Sequence, residues 1–146
     1  MEYITRRFDE TGKHISRDDA SLIAKLVECH PYYVQQLAQL SWLHTSETCN
    51  AAIVESAFES LVNQLSLLFS NIIDNLTAKQ IAFLQAIANG EKNFSSREVL
   101  SRYDLGTSAN IKNLRKALLD KDLIDILPDS TVIQNPVFSY WLKKKY

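Results

Sequence analysis

After a long stretch in which apolar residues recur every three or four positions, the chain changes period once. Leu123-Ile124-Asp125-Ile126-Leu127 and Thr131-Val132-Ile133-Gln134 are β-favouring, with the turn-forming Pro128-Asp129-Ser130 between them. That pattern predicts a small hairpin. Three helical segments precede it. Thr77 and Gln80 have capping-box spacing and open a helix with Ile81, Leu84 and Ala88 inward, Ile87 beside them and Phe83 on the flank, stopped by Gly90. Ser95 and Glu98 repeat the spacing before Val99, Leu100 and Tyr103. Leu105-Gly106-Thr107 is a tight turn, and Thr107 or Ser108 caps a third helix that buries Ile111, Leu114 and Leu118. Pro136 starts a last helix, apolar at Val137, Phe138, Trp141 and Leu142.

Three helices followed by a two-stranded hairpin is the order of a winged helix-turn-helix, expected over residues 76–146. The preceding residues, 1–75, read as a separate helical domain. Tyr3 to Thr11 forms a short helix that stops at Gly12. Ser16 caps the next, with Leu22, Ile23, Leu26 and Val27 at helical spacing; it should end at His30, since a residue before proline is pushed out of the α region. Pro31 suits the first position of the helix that follows, whose inner face is Val34, Leu37, Ala38 and Ser41. Thr45 to Asn50 is a polar break. A long amphipathic helix then runs from Ala51 to Asp74, with Ile53, Ala57, Leu61, Leu65, Leu68 and Ile72 as its stripe. At about 36 Å such a helix can connect two domains. The expected fold class is therefore mainly α: a helical bundle, then a winged helix-turn-helix with a small β-hairpin.

Charge divides in the same place. Residues 1–75 carry 5 Lys and Arg against 10 Asp and Glu, and residues 76–146 carry 11 against 7, so nets of −5 and +4 make up the overall −1. Such asymmetry suggests two units with different partners. Cys29 and Cys49 match no metal or disulfide spacing and fit a reducing compartment, so a cytoplasmic location is expected. No apolar run approaches membrane-spanning length and no leader pattern opens the chain; membrane association is not expected. His14, His30 and His44 have no ligand spacing, so no metal is expected. No catalytic triad order is visible. Neither GxxxxGK[ST] nor GxGxxG occurs, so no catalytic residue and no phosphate-cradling loop is expected in this chain.

The third helix of the second domain is the recognition helix of the expected fold. With Ile111, Leu114 and Leu118 inward, Lys112, Asn113 and Lys116 point outward, Arg115 sits on the flank, and Ser108 and Asn110 stand near the N-terminal end. Lysine and arginine suit phosphates; asparagine and arginine suit base edges. The turn Pro128-Asp129-Ser130 has no basic residue, and Asp120, Asp122 and Asp125 follow the helix closely. Nucleic-acid contact and protein docking both stay open.

The segments ECHPYYVQQLAQLSW, LTAKQIAFLQAIANGE, SSREVLSRYDLGTSANIKNLRKALLDKDLID and NPVFSYWL together resemble the C-terminal half of the archaeal-type ATPases, a family of AAA+-related, STAND-like P-loop proteins. His30-Pro31-Tyr32-Tyr33-x-Gln35 and the winged-helix order carry the likeness most specifically. The resemblance implies that residues 1–75 are a lid and 76–146 a winged helix. The P-loop ATPase domain that would precede them is the implied partner, and ATP or ADP the nucleotide of the intact protein. Pro31, flanked by His30 and Tyr32, takes the lid position that packs near adenine. The family often has Gly before His-Pro, where this chain has Cys29. The implied role is coupling of nucleotide state to docking of DNA or a protein, without hydrolysis by this chain alone. A free-standing DNA-binding regulator and a protein-interaction adaptor are the alternatives.

Overall fold

A computed structural model describes residues 2–146. The chain forms two compact units, residues 1–66 and 67–146. Their division falls inside a helix rather than after it, and the cause is visible in the second unit.

In the first unit, α1 (Glu2–Glu10) leads to β1 (His14–Ile15), α2 (Arg17–Leu26), α3 (Pro31–His44) and β2 (Thr48–Cys49), followed by the start of α4 (Ala51–Asp74). The two short strands pair in parallel, His14 with Thr48 and Ile15 with Cys49. Sequence reasoning missed both strands: two residues are too short to show a period, and the polar break at 45–50 hid the second. The core gathers Phe8, Ile23, Val27, Leu37 and Val54, all nearly or fully buried. On α3 the inward residues are Tyr33, Leu37 and Ser41, while Val34 and Ala38 are only half-buried. The face is rotated from the expected one because Tyr33 fills the core next to the proline.

The turn between α2 and α3 departs most from expectation. The second helix stops at Leu26, not His30. Val27 caps it, and Glu28 and Cys29 then take left-handed backbone, with φ of 51° and 60°. The Cys29 N–H donates to the Ala24 carbonyl at 2.8 Å and the Glu28 N–H to that of Lys25 at 3.2 Å, which is a Schellman closure. His30, extended, is then the N-cap of α3, and Pro31 holds its first position. The same closure occurs after Gly12, Gly90, Asp104 and Asp122, all with positive φ.

In the second unit the last turns of α4 join α5 (Ala78–Ala88), α6 (Arg97–Tyr103), α7 (Ser108–Asp120), β3 (Ile124–Ile126), β4 (Thr131–Ile133) and α8 (Pro136–Lys144). The strands form an antiparallel hairpin with Asp125 opposite Val132. This is the expected winged-helix order. Thr77 and Gln80 form a true capping box. At α6 the cap is Ser96, accepting from the Val99 N–H, rather than Ser95. Phe83, expected on a flank, is fully buried against Phe94 at 4.9 Å between ring centroids.

Phe69 explains where the units divide. It is fully buried, 5.2 Å from the Phe138 ring and 5.7 Å from that of Trp141. The end of α4 is thus part of this core. The stripe there runs through Phe69 and Ile73, and Leu68, expected inward, is exposed.

Phe69→Ala should destabilise the second unit by about 3–5 kcal/mol, read as a lowered midpoint in denaturant, because the aromatic cluster cannot close over the cavity. Glu28→Gly should stabilise the first unit by up to about 1 kcal/mol in the same measurement, since only glycine takes positive φ without penalty. Burial pushes the Cys49 thiol up, whereas Cys29 is exposed. A thiol reagent near neutral pH should therefore label Cys29 first and reach Cys49 only on unfolding.

Candidate functional site

The exposed side of α7 is built by its own amphipathic pattern. Ile111, Leu114 and Leu118 are buried, which turns Lys112, Asn113 and Lys116 to solvent. Ser108 is exposed at the first turn. Two of the expected contact residues, Asn110 and Arg115, also make internal contacts. The Asn110 side chain donates to the Leu105 carbonyl at 3.2 Å, and Lys79 donates to the Asp104 carbonyl at 2.9 Å. Together they hold the turn between α6 and α7, where Asp104 and Gly106 both have positive φ. Arg115 is half-buried with its guanidinium carbon 5.5 Å from the Phe94 ring centroid, a cation–π contact.

Beside this face lies a groove of about 360 Å³ between α7, Ser95 and the hairpin. Ser108, Lys112, Arg115, Lys116 and Asp120 line it together with the apolar Ile111, Leu119 and Ile126. Leu119 and Ile126 are exposed, as are Leu127 and Val132 elsewhere on the hairpin. No Lys or Arg stands between Lys121 and Lys143, so the wing contributes Asp125 and Asp129 and no cation. The basic residues of α7 were legible in the sequence. The apolar side of the groove was not, because Leu119 and Ile126 come together only once the hairpin is folded beside the helix.

These features place the second unit. A model of the family described as a probable winged helix domain matches residues 67–144. The chain belongs to that family. The match begins at Leu67, where the second unit also begins, so the winged helix includes the end of α4. No curated protein and no solved structure matches the chain.

The first unit holds the other expected residues. Pro31 and Tyr32 are exposed at the start of α3, Tyr32 at 61%. The His30 ring packs on buried Tyr33 at 5.0 Å, and its Nδ1 is buried with no hydrogen-bond partner among the described residues. Tyr32 meets Tyr33 edge-on. Pro31 lines a groove of about 300 Å³ between α1 and α3, shared with Tyr3, Ile4, Cys29 and Val34. A second concavity of about 480 Å³ lies between the same two helices, lined by Phe8, Thr11, Gln39 and Trp42 and again by Tyr3 and Ile4. Trp42 is fixed there by a 2.7 Å hydrogen bond from its indole N–H to the Thr11 hydroxyl and by Lys13 lying 3.8 Å from its ring centroid. Nothing in the local sequence signals this pairing of α1 with α3. No cluster of metal-ligating side chains occurs among the described residues. No helix among them is long and apolar enough to cross a membrane.

Asn110→Ala should lower stability by about 1 kcal/mol through the freed Leu105 carbonyl. Lys112→Ala and Lys116→Ala should each stay within about 0.5 kcal/mol of the parent, both read by thermal melting, because exposed side chains without partners contribute little to the fold.

Proposed function

We propose that this chain is the lid and winged-helix portion of an AAA+/STAND-like P-loop ATPase. In this reading it couples nucleotide state to docking of a partner and does not hydrolyse ATP by itself. The observation that carries the reading is the turn into α3. Cys29 takes φ of 60° at the position where the resembled family often has glycine, so this chain keeps the backbone that glycine would favour. That turn sets Pro31 at the edge of an apolar groove of about 300 Å³, the lower end of ordinary ligand sites. The helix N-terminus beside it suits the negative charge of a nucleotide. The other walls and the phosphate-binding loop would come from a P-loop domain, which is the proposed partner of the first unit. ATP or ADP would be bound only by the two together.

A second reading is favoured by a specific feature: Lys112, Asn113 and Lys116 are exposed on the recognition helix of a winged helix, a fold commonly used on DNA. In that reading the chain is a DNA-binding regulator, with Ser108 and Arg115 beside those residues at the groove and Asn110 near the start of the helix.

Two measurements separate the readings. In a protein comprising the P-loop domain and this chain, Pro31→Ala and Tyr32→Ala should each weaken ATP or ADP binding by roughly 3- to 10-fold in a calorimetric titration. Unchanged affinity would return both residues to packing and remove the nucleotide reading. Duplex binding by this chain, titrated over a range of salt, should be weak and nearly flat. An affinity that falls steeply with salt would favour the regulator.

A further inference from the structure

The groove between α7 and the wing joins a cationic side to an apolar one. One side is cationic: Lys112 and Lys116 stand one helical turn apart, exposed and without a carboxylate partner among the described residues. The other side is apolar: Leu119 at 38% and Ile126 at 50% exposure, with Ile111 in the floor. A duplex docked on a winged helix meets the wing as well as the helix, and this wing offers carboxylates and bare aliphatic side chains. Phosphates brought to the wing would be repelled by Asp125 and Asp129 and would bury none of the apolar area of Leu119 and Ile126. A polypeptide carrying carboxylates next to bulky apolar residues satisfies both sides.

We propose that this groove docks an acidic, apolar-anchored segment of a partner protein. Its apolar side chains seat on Ile111, Leu119 and Ile126, and its carboxylates pair with Lys112 and Lys116. Asp120 also lines the groove, one helical turn beyond Lys116, and disfavours a carboxylate beside it. The inference rests on the docking half of the proposed function and does not require the nucleotide half. It assigns the winged helix a protein ligand in place of a base sequence.

The test is selection of a random phage-displayed peptide library on the full chain, followed by titration of the enriched synthetic peptides. Peptides combining acidic and bulky apolar residues are expected. Lys112→Glu with Lys116→Glu should weaken their binding by about tenfold or more, and Ile126→Asp by a similar factor, while Lys25→Glu, an exposed charge of the first unit, should leave it unchanged. Lys112→Ala, which is not expected to disturb folding, gives a smaller loss in the same direction and covers the case in which Ile126→Asp unfolds the hairpin. Enrichment of basic peptides, or no enrichment, overturns the proposal. So does binding that the groove variants leave unaltered, although that outcome would keep docking and only move it elsewhere on the chain. Salt-dependent duplex binding lost in the same lysine variants would overturn it in favour of the regulator.

Discussion

The contact on which the second unit depends is the burial of Phe69 against Phe138 and Trp141. It ties the end of α4 to the last helix of the chain. Phe138 and Trp141 in turn stack on each other, with ring planes 17° apart, and Tyr146 packs on Trp141. The hairpin is held from below, with Ile124 and Ile133 buried in the same unit. A two-stranded hairpin alone is marginal in water, so its place beside α7 depends on this core. The groove exists only because that placement is fixed.

A second constraint is how the helices stop. Several close with a left-handed residue after the cap, which satisfies the last carbonyls without help from side chains. Glycine does this at Gly12 and Gly90, whereas Glu28, Asp104 and Asp122 do it at some conformational cost. Two of these turns border the proposed sites. The one at Glu28-Cys29 aims Pro31 at a groove, and the one at Asp104 fixes the start of α7 with help from Lys79 and Asn110. Backbone strain is thus found where a helix start must be placed accurately.

Residues that look equivalent along α7 have separate tasks. Asn110 and Arg115 look like contact residues by type, yet one ties a turn and the other covers Phe94. Lys112 and Lys116 remain to solvent. A planar guanidinium can lie on a ring while its neighbours stay hydrated, so residue type alone does not tell surface from support. The acidic, aliphatic wing narrows the reading further, because it withholds the cations that would extend a basic face around a duplex.

The sequence by itself determined the helices, the hairpin and the order of the second unit. These follow from local terms: a period of 3.6 or 2, a capping box at Thr77 and Gln80, prolines at the starts of α3 and α8. It also exposed Lys112, Asn113 and Lys116, since three buried neighbours on one helix settle which way the others face. Only the tertiary structure decided that α4 is divided between two cores, that Phe69 and Phe83 are buried, and that α2 ends at Leu26. It alone paired β1 with β2, closed a groove between α1 and α3, and laid Leu119 beside Ile126. Each of these rests on contacts between residues far apart in the chain. Their free energy comes from shared burial, which no local pattern records.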